Sequence, residues 1–201
     1  MTSRPFDIVL LPEADLAAKA VRTSQELRPM GTDFILGPTA CVPHVSLYMV
    51  QLKNGDLAAV GEKLAAIAAH VPRITLEAQG YSQNRGYIGL QYVRTPKIEA
   101  LQQEALKAIN PLRDGLRHAS RDHLQHATGQ TRKNLEQYGY ESIGELFIPH
   151  LTFTRFSNRL PVPLEDMGAP TAFSGTFVSL ALCELGPHGT CLRIVEQFPL
   201  Q

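Results

Sequence analysis

Two five-residue strings carry side chains that can move protons beside a phosphate: Pro43-His44-Val45-Ser46-Leu47 and Pro149-His150-Leu151-Thr152-Phe153. Both read Pro, His, apolar, hydroxyl, apolar, and each opens a run of strand character. On a strand, successive side chains alternate faces, so imidazole and hydroxyl share one face while the apolar neighbours take the other. A hydroxyl two positions from an imidazole, presented twice, suits a phosphate site worked by an acid and a base.

Spacing alone does not single these strings out. Five of the seven histidines (His44, His118, His126, His150 and His188) stand two residues before a Ser or Thr. Context separates them. His118 and His126 lie in a polar, helix-like stretch, and His188 lies in a Pro-His-Gly turn. Only His44 and His150 follow a proline, have apolar residues on both sides of the hydroxyl, and lead into a strand-type run. The plain alternative is two strand-start histidines with incidental hydroxyls. Val45, Leu47 and Met49 would then pack inward, with His44, Ser46 and Tyr48 on a half-exposed face.

The elements that must position these strings follow from periodicity. An apolar run over Phe6–Leu11 reads as a first strand ended by Pro12, followed by a helix over Glu13–Leu27 with Leu16, Ala20, Val21 and Leu27 on one stripe. Pro29 and Gly31 stop that helix and begin a long loop to residue 43. A strand over His44–Leu52 precedes a helix over Asp56–His70, where Leu57, Val60, Leu64, Ile67 and Val71 make an amphipathic face. Arg73–Gly80 and Arg85–Val93 read as a hairpin turning at Tyr81-Ser82-Gln83-Asn84. Thr95-Pro96 starts a third helix that Pro111 ends. Residues 113–146 read as polar and partly helical, and His150–Phe156 is a strand. Two last strands, Phe173–Leu185 and Cys191–Phe198, join through the turn Gly186-Pro187-His188-Gly189. The order is strand-rich α+β, and the matched motifs suggest a diverged internal duplication within one domain over residues 1–201.

Composition narrows the class of ligand. Of 201 residues, 44% are hydrophobic and 19% charged, which describes a globular chain able to build a core. Lys plus Arg equals Asp plus Glu, 19 against 19, so no overall basic field gathers a long duplex nucleic acid. A small anion or an RNA terminus fits better. Cys41, Cys183 and Cys191 have no CxxC spacing and read as reduced, partly buried thiols of a cytoplasmic protein, although Cys183 and Cys191 can face each other across a hairpin. The N-terminal apolar run is too short for a signal peptide or membrane span, so no membrane association is expected.

With these motifs in this order, the chain resembles the 2H phosphoesterase superfamily, and within it the bacterial 2′-5′ RNA ligase-like and 2′,3′-cyclic phosphodiesterase branch. The resemblance implies a bilobal α+β fold in which two antiparallel sheets face a central cleft, with helices on the outer faces and one motif strand from each lobe. It implies that His44 and His150 are the acid/base pair and Ser46 and Thr152 the phosphate-binding hydroxyls. Ser46 stands where the ligase-like branch usually has threonine. Tyr48-Met49-Val50 replaces the basic, aromatic tail that often follows the first motif.

Two imidazoles flanking a phosphorus can supply acid and base near neutral pH, without cofactor or metal. The working assignment for opening a 2′,3′-cyclic phosphate is His150 as base and His44 as acid; the reverse remains open. Strand alternation adds Tyr48, Thr154, Tyr87, Gly89 and Gln91 as candidates for substrate contact, and Arg85, Arg155 and Arg193 as phosphate or base contacts. Residues 113–133 hold Arg113, Arg117, Arg121, Arg132 and Lys133, and read as a solvated helical insertion or a basic flap for an RNA end. Asp122-His123-x-x-His126 has metal-ligand types at helical spacing, and a metal-dependent hydrolase resting on the His118–His126 stretch is a rival. A second rival is a non-catalytic module of the same fold that binds nucleotides or RNA ends, and a third is an esterase for another small cyclic phosphate. The partner expected is a nucleotide or RNA terminus, met by a monomer.

Overall fold

The computed structural model describes residues 2–161 and 163–201. In chain order the strands are β1 (Ser3–Pro12), β2 (Val45–Lys53), β3 (Ile74–Leu76), β4 (Ala78–Asn84), β5 (Tyr87–Tyr92), β6 (His150–Arg155), β7 (Gly175–Leu185) and β8 (Cys191–Pro199). The helices are α1 (Ala14–Leu27), α2 (Leu57–Ala68), α3 (Pro96–Ile109), α4 (His118–Leu124) and α5 (Gly129–Tyr138). All strand pairing is antiparallel. The larger sheet runs β2-β1-β7-β3, with β8 continuing along the same edge of β7 as β3. The smaller sheet is β4-β5-β6.

Both motif strands are sheet edges, β2 of the larger sheet and β6 of the smaller, and they contact each other where the sheets meet. The outer faces are covered by helices. α1 lies against β1 and β6, α3 lies against β2, and α2 packs on α3, β7 and β8. Their apolar stripes are buried as periodicity predicts: Leu16, Ala20 and Leu27 on α1, Val60, Leu64 and Ile67 on α2, and Ile98, Leu101, Ala105 and Ile109 on α3. Thr95 caps α3, its hydroxyl accepting from the Ile98 amide at 3.5 Å, and Pro96 follows at the first helical position.

β1 is buried on both faces. Phe6, Ile8 and Leu10 join the main core beneath the helices, while Val9 and Leu11 form a small second layer with Val42, Ala181, Cys183 and Cys191. Asp7 lies on the face of this second layer, fully buried.

Three expectations are corrected here. The segment read as one strand over Arg73–Gly80 is two, because the chain leaves the larger sheet after Leu76 and enters the smaller one at Ala78. The hairpin turns at Arg85-Gly86, not at Tyr81–Asn84, which is paired strand. Both turn residues have positive φ (49° and 86°), the conformation of a two-residue hairpin loop. Cys183 and Cys191 are not free thiols. They form a disulfide with Cα atoms 5.5 Å apart, and Cys41 alone is free. Register shifts in the β7–β8 ladder fall at Leu182/Cys183 and Glu184/Leu185, and both cysteine side chains enter the second apolar layer. Among the described residues no helix is long and apolar enough to cross a membrane.

Candidate active site

The two motifs have the same local geometry. Nδ1 of His44 lies 2.8 Å from the Val42 carbonyl oxygen, and Nδ1 of His150 lies 2.8 Å from the Ile148 carbonyl oxygen. In each, a proline separates the imidazole from its carbonyl partner. A carbonyl only accepts, so each Nδ1 carries hydrogen and donates. Each Nε2 is therefore the atom whose protonation can change in a reaction. Both rings line one cleft of about 490 Å³ between the sheets.

Each hydroxyl is followed at once by a β-bulge. In the β1–β2 ladder, Ser46 pairs with Val9 and Tyr48 with Ile8, leaving Leu47 extra. In the β5–β6 ladder, Thr152 pairs with Gly89 and Thr154 with Ile88, leaving Phe153 extra. A bulge inverts the alternation of everything beyond it. Tyr48 and Thr154 therefore turn away from the cleft, which corrects the reading that placed them on it. Tyr48 is fully buried, its one hydroxyl proton donated to the Tyr138 carbonyl at 2.7 Å or shared with Asn110 Oδ1 at 2.9 Å. Thr154 is fully buried and donates to the Phe34 carbonyl at 2.6 Å. Met49 takes the cleft position instead. The carbonyl of the bulged Leu47 accepts from the amide of Gln102, a buried residue of α3, at 3.0 Å.

Other candidates divide. Arg85, Tyr87, Gly89 and Gln91 line the cleft, Gln91 in register with His150. Gly89 sits opposite Thr152 because a Cβ there would fall 2.7 Å from the Leu151 carbonyl oxygen. Arg155 does not itself line the cleft; its guanidinium lies 5.3 Å from the ring centroid of Tyr87, which does, and is paired with Asp33. Arg193 is elsewhere. It pairs with Glu184 at 2.9 Å, and Glu184 stands opposite Phe6, whose side chain enters the helix-covered core. That is the face away from Asp7, and this correction removes Arg193 from the candidate contacts.

Ser46 is held differently from Thr152. Its hydroxyl donates to Asp7 Oδ2 at 2.6 Å, and the same oxygen lies 3.8 Å from His44 Nε2. Thr152 has no such partner among the described residues and faces the cleft. Asp7 Oδ1 is buried without any hydrogen-bond partner. Burial pushes the Asp7 carboxyl up to about 7, against the lowering effect of the Ser46 hydrogen bond and the Arg117 charge. Burial also holds the His44 imidazole down to about 4; the Val42 hydrogen bond raises it and His150 lowers it further. The His44 side chain is 12% exposed and lines the cleft.

The cleft continues past Met49, Tyr87 and His188 into a chamber of about 670 Å³ lined by Arg117, His118 and Tyr140. Arg117 departs from the solvated insertion expected over 113–133. It is buried, its guanidinium stacks 5.4 Å from the Tyr140 ring centroid, and it lies 3.6 Å from Met49 Sδ. His118 pairs with Asp122 and His123 with Glu141, and no group of three or more metal-ligating side chains occurs among the described residues.

Sequence reasoning missed Asp7, Met49, Gln102, Glu141 and His188. A signal existed for Asp7, a lone carboxylate within the apolar run Phe6–Leu11. His188 gave none. It lines both chambers from a backbone with φ of 60°, stacked on Phe34 and 3.5 Å from an Arg155 nitrogen.

The fold recurs in solved structures. The protein TT0787 of Thermus thermophilus is 17% identical, with 98% of this chain and 97% of that one covered and a TM-score of 0.56. E. coli LigT complexed with 3′-AMP is 13% identical, with 100% and 99% covered and a TM-score of 0.60. A protein described as a phosphoesterase is 14% identical, with 100% and 99% covered and a TM-score of 0.55. The chain thus has the bilobal α+β fold of LigT and its structural kin. By sequence it belongs to the family described as protein of unknown function DUF1045, whose profile matches residues 50–169 and so includes the second motif and not the first. No curated protein matches the sequence.

Proposed function

We propose that this chain is a phosphodiesterase that hydrolyses 2′,3′-cyclic or related cyclic or 2′-5′ phosphodiesters of nucleotides or RNA ends by two-histidine acid–base catalysis. One observation carries the reading: two imidazoles, each fixed by an Nδ1–H donated to the carbonyl two residues back, line one cleft from opposing edge strands with Nε2 left to exchange a proton. A module that only binds needs donors there, not two titratable groups. The fold shared with LigT, solved with 3′-AMP, and with a phosphoesterase supports the same class.

In the reaction, His150 Nε2 accepts a proton from water as the water oxygen bonds to phosphorus. The bond from phosphorus to the leaving ribose oxygen breaks, and His44 Nε2 protonates that oxygen. The Thr152 hydroxyl donates to a non-bridging oxygen, where charge accumulates. Ser46 donates to a second such oxygen whenever its hydrogen is not given to Asp7. The cleft and its second chamber lie within the size range of small-molecule sites, with Gln91 and Tyr87 placed to meet a base or sugar. No step calls on a metal.

The test is hydrolysis of the four 2′,3′-cyclic nucleotides by purified protein, with and without EDTA, and identification of the product isomer. Protonation of one ribose oxygen by a fixed acid gives a single isomer. Absence of turnover on these and on 2′-5′-linked dinucleotides would overturn the reading, and loss of turnover with EDTA would overturn its independence of metal.

A further inference from the structure

We propose that Asp7 is a positioning residue that keeps the catalytic proton for His44, so that the Asp7–His44 pair acts as one acid. The proposal rests on the two-histidine reading above and concerns a residue outside both motifs.

The geometry is specific to one histidine. Asp7 Oδ2 lies 3.8 Å from His44 Nε2 and accepts from Ser46 at 2.6 Å, while His150 has no carboxylate within ion-pair distance among the described residues. Asp7 is fully buried on a central strand, and its Oδ1 has no partner. A carboxylate left this way is costly unless it holds a proton or faces a cation. The groups around it are His44 and Ser46 from the motif strand, and Cys183 opposite it on β7, oxidised to a disulfide and silent. Arg117 and Tyr140 act on it electrostatically from the segments flanking α4 and α5, with Glu141 beside them.

A buried imidazole by itself would be empty at neutral pH and useless as an acid, because burial holds His44 down. The neighbouring carboxyl is pushed the other way. Between these limits the pair retains one proton, and the two sites titrate together. An anionic phosphodiester beside Nε2 favours imidazolium over imidazole. The proton then resides on His44, and the Asp7 carboxylate left behind is stabilised by the Ser46 hydrogen bond already in place. After His44 gives that proton to the leaving oxygen, the pair takes another from solvent while His150 releases the one it took from water.

Two measurements test this, and the first needs no activity. Imidazole ¹⁵N and carboxyl ¹³C NMR titrations of wild type should show His44 and Asp7 responding together as one proton is lost near pH 7. In Asp7→Asn, His44 should titrate alone, below about pH 5. Independent titration of the two groups in wild type overturns the proposal even if the variant folds poorly, and so does an unchanged His44 titration in a folded variant. The second is the pH profile of kcat on a 2′,3′-cyclic nucleotide. Asp7→Asn should lose about 10²-fold in kcat at pH 7, the low end of what one acid–base group supplies. Its optimum should move to lower pH with KM held within a few-fold. A uniform loss at every pH marks a merely structural role and overturns the proposal. If wild type hydrolyses none of these substrates, the assigned reaction fails while the titrations still decide the role of Asp7.

Discussion

Leu47 and Phe153 occupy one and the same place in two strands: each is the extra residue of a bulge that begins directly after a motif hydroxyl. The consequence is that His44 and Ser46 share the cleft face with Met49, not Tyr48. Tyr48→Phe should therefore leave kcat and KM within about twofold. It should lower stability by roughly 1–2 kcal/mol through loss of a buried hydroxyl's bonds to Asn110 and Tyr138. Met49→Ala should raise KM several-fold with stability nearly kept. Thermal melts and steady-state kinetics on a cyclic nucleotide separate the two, and a catalytic loss in Tyr48→Phe would contradict the inverted alternation.

The histidine pair predicts a non-additive loss. His44→Ala and His150→Ala should each reduce kcat by roughly 10²–10⁴-fold, since each removes one proton transfer. The double variant should be little worse than the poorer single, because the two transfers belong to one step. Both rings border the cleft and neither belongs to the apolar core, so circular dichroism should remain that of wild type. Retention of more than about a tenth of activity in either single variant would remove that ring from the chemistry.

The motif histidines, the helix stripes and the Thr95 cap are legible because each depends on local periodicity or local hydrogen bonding. What the sequence hides depends on register. Nothing in Ser46-Leu47-Tyr48 marks Leu47 as extra, since the bulge is defined by the partner strand and by Gln102, which lies in another element. Alternation counted from His44 therefore misplaces every residue past the hydroxyl, and the same error recurs from His150. Arg193 fails for a related reason, because bulges in the β7–β8 ladder set its face. Asp7 was visible as a charge in an apolar run, but its partner lies far along the chain and only pairing of β1 with β2 brings them together.

Stability should fall with rising pH because of Asp7. Its carboxyl is raised in the folded chain to about 7 from 3.8, so its favourable contribution is complete below pH 4, declines above it, and is gone once pH passes about 7. The full effect is on the order of 4 kcal/mol, taken as an upper bound. His44 runs the other way, its contribution present above pH 6.5 and lost as pH falls through about 4. Asp7→Asn removes the carboxyl's part and leaves His44 to titrate alone. The variant should match wild type near pH 4 and be the more stable protein at pH 8, as urea melts at the two pH values would show. A variant less stable than wild type at pH 8 would mean that ionised Asp7 is a net stabiliser.

Gln102 should matter to catalysis although it never meets the cleft. It is 1% exposed, and its amide nitrogen donates to the Leu47 carbonyl at 3.0 Å and the Ser142 carbonyl at 2.9 Å, while its oxygen accepts from the Gly144 amide at 3.4 Å. One side chain thus supplies the donor that the bulge takes from the ladder, and fixes the segment carrying Ser142 at the cleft's edge. Gln102→Met keeps the volume and removes all three bonds. Leaving buried carbonyls unpaired costs about 1–3 kcal/mol each, so a loss near 3 kcal/mol is expected in denaturant melts. With Leu47 released, Ser46 and His44 lose their fixed approach to the cleft, and kcat should fall about tenfold at temperatures where the variant remains folded. Unchanged kcat in a destabilised variant would show that the strand pairing with β1 holds the bulge unaided.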